Sequence, residues 1–307
     1  MALILLTGST GFVGRHLLDH FIQQGHQVRV LQRRPVDQQT GQGVREYVMQ
    51  SVNDTQAFSL ACEGVDIVVH AGGLAHVTNP DLADQYEPFK EVNVEWTRQL
   101  AHCAFKANIQ RFVFISSIGA VGNSSVSGQK LNEFSACEPI GYYAQSKLEA
   151  ERALTEVAAQ FNGSYAIIRP PLVHGPNAPG NLARLAAWVR RGIPLPLAGL
   201  HNRRSLVHVL NLVQAIDLLA FNPKANRQVF HVADVQDYST TDILIGAGKS
   251  LGKQARLFKL PLNLLRSTGA LVRKGVMVEQ LTGNLQVDSS HIQDTLGYRA
   301  LPLPIEV

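Results

Sequence analysis

The sequence predicts an α/β protein: a doubly wound parallel sheet with helices on both faces and a small C-terminal lobe. Three observations predict it. Short apolar runs recur along the first 170 residues, and stretches with helical spacing follow them. The first run, Leu3-Ile4-Leu5-Leu6, breaks into glycines at 8, 11 and 14 and then into a helix-spaced set, Phe12, Leu17, Leu18, Phe21 and Ile22. The chain has 307 residues, 45% hydrophobic and 17% charged, enough for one large core plus a lobe.

Strand, glycine turn and helix form the context in which spaced glycines read as a dinucleotide cradle. Gly8 permits the tight turn off the strand. Gly11 lets a pyrophosphate approach the backbone, and Gly14 lets the helix pack closely on the strand. Free N–H groups at the helix start, with the helix dipole, then face the phosphates. Gly8, Thr10, Gly11, Phe12, Val13 and Gly14 are the candidate cofactor contacts, and the fold expected is Rossmann-like.

Composition narrows the function classes. No stretch reaches the ~18 apolar residues of a membrane span. Met1-Ala2-Leu3 has no basic leader region, so no signal peptide is expected. Cys62, Cys103 and Cys137 are too few and too scattered for a disulfide framework or a metal site, which suits a reducing, cytoplasmic setting. A net charge of +4 suits an anionic cofactor or substrate, but no Lys/Arg block marks a nucleic-acid face.

Gln27 to Leu31 alternates and reads as the second strand. A carboxylate at its end would bond ribose hydroxyls and favour NAD, whereas arginine accommodates a 2′-phosphate. Here the chain reads Gln32-Arg33-Arg34, so Arg33 and Arg34 favour NADP(H), with NAD(H) as the alternative. Glu46 to Met49 reads as a third strand, and Asp54-Thr55 as a helix start. Val65 to His70 is the fourth strand. It ends in Ala71-Gly72-Gly73, and Ala71 and Gly72 leave room for a ligand at the sheet crevice. His70 reads as a satisfied structural histidine. One long helix is expected from about 85 to 107, with Asn93, a poor helix former, inside it.

Arg111 to Ile115 is the fifth strand and runs into Ser116-Ser117. A helix then carries Tyr143 and Lys147, four apart and so on one face. An unperturbed phenol titrates near 10. An ammonium beside it would favour the phenolate and lower that pKa, making Tyr143 a usable proton donor and acceptor. Ser117 would orient the same substrate oxygen.

Together these residues resemble the extended short-chain dehydrogenase/reductase family, over nearly the whole chain. Thr7 to Gly14 is similar to its TGxxGFxG loop, and Ser117, Tyr143 and Lys147 sit where its catalytic triad would be. Arg169 to Pro176 resembles RPxxVYGP with His174 in place of Tyr, and Arg204 to Val209 resembles RDFVHV. Ser51 stands near the family's adenine-binding Asp, and Asn211 replaces the Asp after RDFVHV. Residues 287–290 and 296–298 look like the C-terminal strand and closing helix.

Within the family the chain resembles nucleotide-sugar enzymes of surface polysaccharide synthesis: UDP-N-acetylhexosamine 4-epimerases and reductases of UDP-4-keto-6-deoxy-N-acetylglucosamine. That resemblance implies a UDP-sugar substrate, with Asn181 and Arg204 on the diphosphate and backbone near Leu197 beside the uracil. It places His76, His174 and Ser117 with the loop 118–128 around the sugar, and it suggests a homodimer through helices near 85–107 and 142–161. It divides the chain into a dinucleotide-binding part, 1–170 with a returning segment at about 203–235, and a mainly substrate-binding lobe, 171–307. The Arg33-Arg34 pair tilts the expectation towards a reductase, with a 4-epimerase next and a non-catalytic NADP-sensing protein as a remote alternative. Residues 260–277 read as an amphipathic helix of the lobe, or as one that touches a membrane surface.

Overall fold

The computed structural model describes residues 1–34, 44–75, 85–271 and 275–307. Seven strands form one parallel sheet: β1 (Leu3–Thr7), β2 (Gln27–Gln32), β3 (Val44–Val48), β4 (Ile67–His70), β5 (Arg111–Ile115), β6 (Tyr165–Arg169) and β9 (Gln228–His231). Their order across the sheet is β3-β2-β1-β4-β5-β6-β9. The chain winds outward in both directions from β1, so the β1/β4 boundary opens a crevice at the strands' carboxyl ends. Two short strands, β7 (Leu172–His174) and β8 (Leu206–His208), pair in parallel beside it.

Alternation within the strands builds two cores. Leu5, Val68, Phe112 and Ile167 point to the face covered by α2 (Thr55–Cys62), α4 (Trp96–Lys106) and α5 (Tyr142–Phe161). Ile4, Leu6, Val69, Val113 and Ile168 point to the face covered by α1 (Phe12–Gln23), α7 (Val209–Phe221) and α11 (Ser290–Leu296). Both faces are dry, which is why the strands read as apolar runs rather than polar/apolar alternation. Each buried leucine contributes roughly 1.5–3 kcal/mol. A third apolar cluster holds the lobe together, from α6 (Asn181–Arg190), α8 (Thr240–Ser250), α9 (Leu262–Leu271) and α10 (Gly275–Thr282).

Three expectations need correction. The helix expected at 85–107 is α3 (Glu87–Phe89), a π-helical turn at Lys90–Glu95, then α4. Asn93 sits in that wide turn with its side chain drawn inward. The strand expected at 287–290 reduces to a single bridge between Leu131 and Val287, because the chain enters α11 at Ser290. The helix expected at 260–277 is two helices, α9 and α10, with residues 272–274 outside the described ones. Among the described residues no helix is long and apolar enough to cross a membrane.

Candidate active site

The glycine turn closes tightly on the neighbouring strand. Gly8 has φ +71°, and a Cβ there would lie 2.7 Å from the Ala71 carbonyl carbon and the Gly72 nitrogen. A Cβ on Gly14 would come within 1.9 Å of the Gly8 oxygen. Helix α1 starts after Gly11 with no side-chain cap, so the N–H groups of its first turn, from Phe12 and Val13 on, are left to a ligand. Thr10 and Gly11 are exposed beside them. Thr7 Oγ1 accepts the Gly72 N–H at 3.0 Å and bonds His70 Nδ1 at 2.6 Å. His70 is fully buried, bonded also to Thr97 at 3.1 Å, and burial pushes its pKa down to about 3, with Lys147 adding to the effect. It stays neutral and structural, as read.

At the end of β2, Arg33 and Arg34 are exposed. Gln32 is buried between them and Ser9, whose hydroxyl reaches Gln32 Oε1 at 3.4 Å, while Gln32 Nε2 is buried with no partner. An orphaned buried donor beside exposed guanidinium groups fits a ligand rich in acceptor oxygens. The uncapped helix start and the cradle without side chains fit a dinucleotide pyrophosphate.

The sheet brings Ser117, Tyr143 and Lys147 together above the carboxyl end of β5. Ser117 is extended at φ −155° and caps a short turn at Ile118–Ala120, its Oγ accepting the Gly119 N–H at 3.1 Å. Its hydroxyl lies near enough to the Tyr143 phenol to act against the rise in that phenol's pKa. Lys147, one turn along α5, is buried; its Nζ donates to the Ile115 carbonyl at 2.7 Å and lies 4.0 Å from the centre of the Phe114 ring. Burial drives the Lys147 pKa down to about 7, with Glu151 opposing that shift.

The electrostatics differ from the expectation in one respect. Burial raises the Tyr143 pKa, and the opposing influence comes from the neighbouring Ser117 hydroxyl. The lysine's ammonium is held by the β5 carbonyl and lies over the Phe114 ring. Tyr143 is therefore a protonated phenol at neutral pH, in the form of a proton donor.

Two residues brace this cluster. Glu151, a further turn along α5, accepts Arg169 Nε at 2.9 Å and Arg169 Nη2 at 2.6 Å, and it is hydrogen-bonded by Ser116. Both members of the ion pair are buried, so each supplies the charge the other needs. Asn93 is 1% exposed. Its Oδ1 accepts the Leu74 N–H at 2.7 Å, and its Nδ2 donates to the Leu74 carbonyl at 3.0 Å and to Ser146 Oγ at 2.8 Å. It joins the loop after β4 to the helix carrying Tyr143 and Lys147. The sequence marked Asn93 as a poor helix former that could bond a neighbouring strand or an ordered water, or lie exposed; its partners are the loop after β4 and α5. Glu151 could have been found from its spacing, four after Lys147, but a Glu in a helix gave no reason to expect burial.

A cavity of about 510 Å³ lies between this cluster and the lobe. Ser117, Gly119, Asn123 and Tyr143 line one side; Asn181, Arg184, Trp188, Arg204 and Gln280 line the other. Arg204 donates to the Gln280 carbonyl at 2.7 Å and the Gly283 carbonyl at 3.2 Å. Among the described residues it pairs with no carboxylate within salt-bridge distance, and burial lowers its pKa. A desolvated guanidinium facing a cavity, balanced only by carbonyl dipoles, can take an anion.

Other expected contacts fall elsewhere. His174 does not line the cavity: it is fully buried, with Nε2 2.7 Å from Asp234. Asn211 shares Asp234 at 2.7 Å and ties down the tail by exchanging hydrogen bonds with Leu301. Leu197 is buried in the lobe's apolar cluster, its carbonyl accepting from Thr241 at 2.7 Å. His76 lies outside the described residues.

Comparison with known proteins adds four findings. The sequence model of the NAD dependent epimerase/dehydratase family matches residues 4–233. A UDP-glucose 4-epimerase of Vibrio cholerae is 36% identical over 298 residues, covering 96% of this chain and 90% of that protein. The N-acetyl-alpha-D-glucosaminyl-diphospho-ditrans,octacis-undecaprenol 4-epimerase of Escherichia coli O157:H7 is 27% identical, over 85% of this chain and 76% of that protein. Among solved structures, MoeE5 in complex with UDP-glucuronic acid and NAD superposes with a TM-score of 0.77 at 23% identity, covering 98% of this chain and 94% of that one. At that identity the structural likeness speaks for the fold alone.

Proposed function

The chain belongs to the NAD dependent epimerase/dehydratase family, an extended short-chain dehydrogenase/reductase group, and from that premise we propose that it reduces C4 of a UDP-4-keto-6-deoxy-N-acetylhexosamine, using NADPH, in surface polysaccharide synthesis. The observation that carries the reading is the shared cavity. Its one end holds the Ser117 and Tyr143 hydroxyls, and its other end holds Asn181 and the charge of Arg204. A nucleotide sugar has a ketone or hydroxyl at one end of such a span and a diphosphate at the other.

The nicotinamide cofactor supplies the hydride when bound, and Gly8, Gly11 and Gly14 would hold its pyrophosphate. Ser117 orients the C4 oxygen. Tyr143, protonated because burial raises its pKa, gives that oxygen its proton. Lys147 would leave the Ile115 carbonyl to bond the nicotinamide ribose. Arg204 and Asn181 hold the diphosphate, so the sugar is fixed from its far end. Arg33 and Arg34 would meet a 2′-phosphate, which makes NADPH the reductant.

A second reading, a UDP-sugar 4-epimerase with retained NAD, is favoured by the Vibrio cholerae relative, which carries that name along 96% of this chain. The same three side chains serve both. The likeness also leads us to propose a homodimer through α4 and α5, and a lobe spanning 171–307 apart from the returning segment at about 203–235.

Incubation with UDP-4-keto-6-deoxy-N-acetylglucosamine and NADPH tests the first reading by loss of absorbance at the reduced nicotinamide band. Stoichiometric consumption supports it. Interconversion of UDP-N-acetylglucosamine and UDP-N-acetylgalactosamine without net consumption supports the second.

A further inference from the structure

The positive charge of this chain is not spread evenly. Residues 157–216 and 243–278 hold thirteen of the 28 Lys and Arg and none of the 24 Asp and Glu. Two of those arginines are accounted for, Arg169 by Glu151 and Arg204 by the cavity. Others gather along one edge of the lobe. Leu195 and Leu257 form a bridge there; the Leu195 N–H donates to the Arg256 carbonyl at 2.9 Å, and the Ala198 N–H to the Phe258 carbonyl at 3.1 Å. Lys253 Nζ reaches the Arg190 carbonyl at 2.8 Å, which joins the end of α6 to the same edge.

The edge presents Arg190, Arg191, Lys253, Arg256 and Lys259, all exposed. Apolar side chains stand among them: Ile193 is 38% exposed, Phe258 47%, Leu262 38% and Leu264 50%. Scattered exposed leucines are ordinary on a protein surface. Apolar side chains set among cations on segments wholly without acids are not. A second copy of this chain would have to bring the same cations against each other, and among the described residues none of them has a carboxylate within salt-bridge distance, which disfavours a two-fold contact through this edge. A surface of negative charge over an apolar interior matches both features at once.

We propose that this edge, residues 190–193 and 253–264, docks on an anionic lipid bilayer. The cations meet the headgroup charge, and Phe258, Leu262 and Leu264 enter the interface between headgroups and chains. The face sits next to the cavity's outer wall: α6 contributes Arg184 and Trp188 to that wall, and α10, packed against α9, contributes Gln280 and Leu281. Docking would therefore hold the cavity close to the membrane plane. The proposal stands independently of which C4 reaction the site performs.

Vesicle flotation of the full chain tests it, with phosphatidylcholine alone against phosphatidylcholine mixed with phosphatidylglycerol. We expect flotation with the anionic vesicles to exceed that with the neutral ones by about tenfold or more, and to fade as salt shortens the screening length. The triple variant R191E/R256E/K259E should lose that excess. The double variant F258S/L264S should bind more weakly and become more salt-sensitive, because only charge then holds it. Nucleotide-sugar turnover in solution should be unchanged in both, since none of these side chains lines the cavity or touches the cluster around Tyr143. Equal flotation with the two vesicle types, or flotation of the triple variant at the wild-type level, would overturn the proposal. So would light scattering showing a dimer that the triple variant dissolves.

Discussion

The Lys147 ammonium donates to the carbonyl oxygen of Ile115 at 2.7 Å, pinning the active helix to the end of the strand that delivers Ser117. The bond joins a helix and a strand that are 32 residues apart in sequence. It places a buried cation one turn from Tyr143, and burial brings that cation's pKa from 10.5 to about 7. Small changes around the lysine therefore change its charge in the physiological range.

The first consequence concerns pH. Loss of the ammonium removes the group that would bond the ribose, so kcat/KM should fall as pH rises above about 7 in the free enzyme. Glu151 supports the charged lysine. Glu151→Gln should therefore move that limb to lower pH, and a pH profile of kcat/KM reads the shift directly. A limb that stays in place would remove Glu151 from this role.

Stability should follow the same group with the opposite sense. The folded chain binds the lysine proton less tightly than the unfolded chain, whose value is 10.5. Between about pH 7 and 10.5 the unfolded state holds more protons, so this group's contribution makes stability rise with pH. Urea titrations across that window should show a smaller rise in Lys147→Met than in the wild type.

Asn93 should act on structure and turnover together. Asn93→Ala leaves the half-buried Leu74 N–H without its acceptor and the buried Ser146 hydroxyl with only the Tyr143 carbonyl, at a cost of about 1–3 kcal/mol. Melting temperature should drop. Turnover should drop further than an equally destabilising change remote from the site, such as Leu296→Ala, because the loop after β4 loses its tie to α5.

Adding one carbon to the cradle should abolish cofactor binding. Gly14→Ala would put a methyl group 1.9 Å from the Gly8 oxygen, so the turn must open. Overpacking of this kind costs roughly 1–3 kcal/mol. Dinucleotide titration by fluorescence should show affinity lost in a chain that still folds by circular dichroism.

Much of this was legible beforehand because it is local. The glycine triplet needs only three positions and a flanking strand. The strands announce themselves as apolar runs because both sheet faces are covered. Tyr143 and Lys147 share a helix face by spacing alone. What escaped depends on contacts made across the fold. The π-helical turn exists where Asn93 reaches Leu74 and Ser146, partners far away in sequence. His174 looked like a sugar contact by its place in a motif, but Asp234, 60 residues on, holds it inside the protein. The phenol's raised pKa likewise comes from its burial in the folded chain, which helical spacing does not reveal.

The role of the Tyr143 phenol is tested most directly by comparing Tyr143→Phe with the wild type in NADPH oxidation driven by a UDP-4-keto sugar. The ring fills the same space without the hydroxyl, so UDP and dinucleotide binding should persist while turnover falls by about 10²–10⁴-fold. A phenylalanine variant that consumes NADPH at the wild-type rate, or a wild-type chain that neither reduces a 4-keto sugar nor epimerises a UDP-hexosamine, would contradict the account.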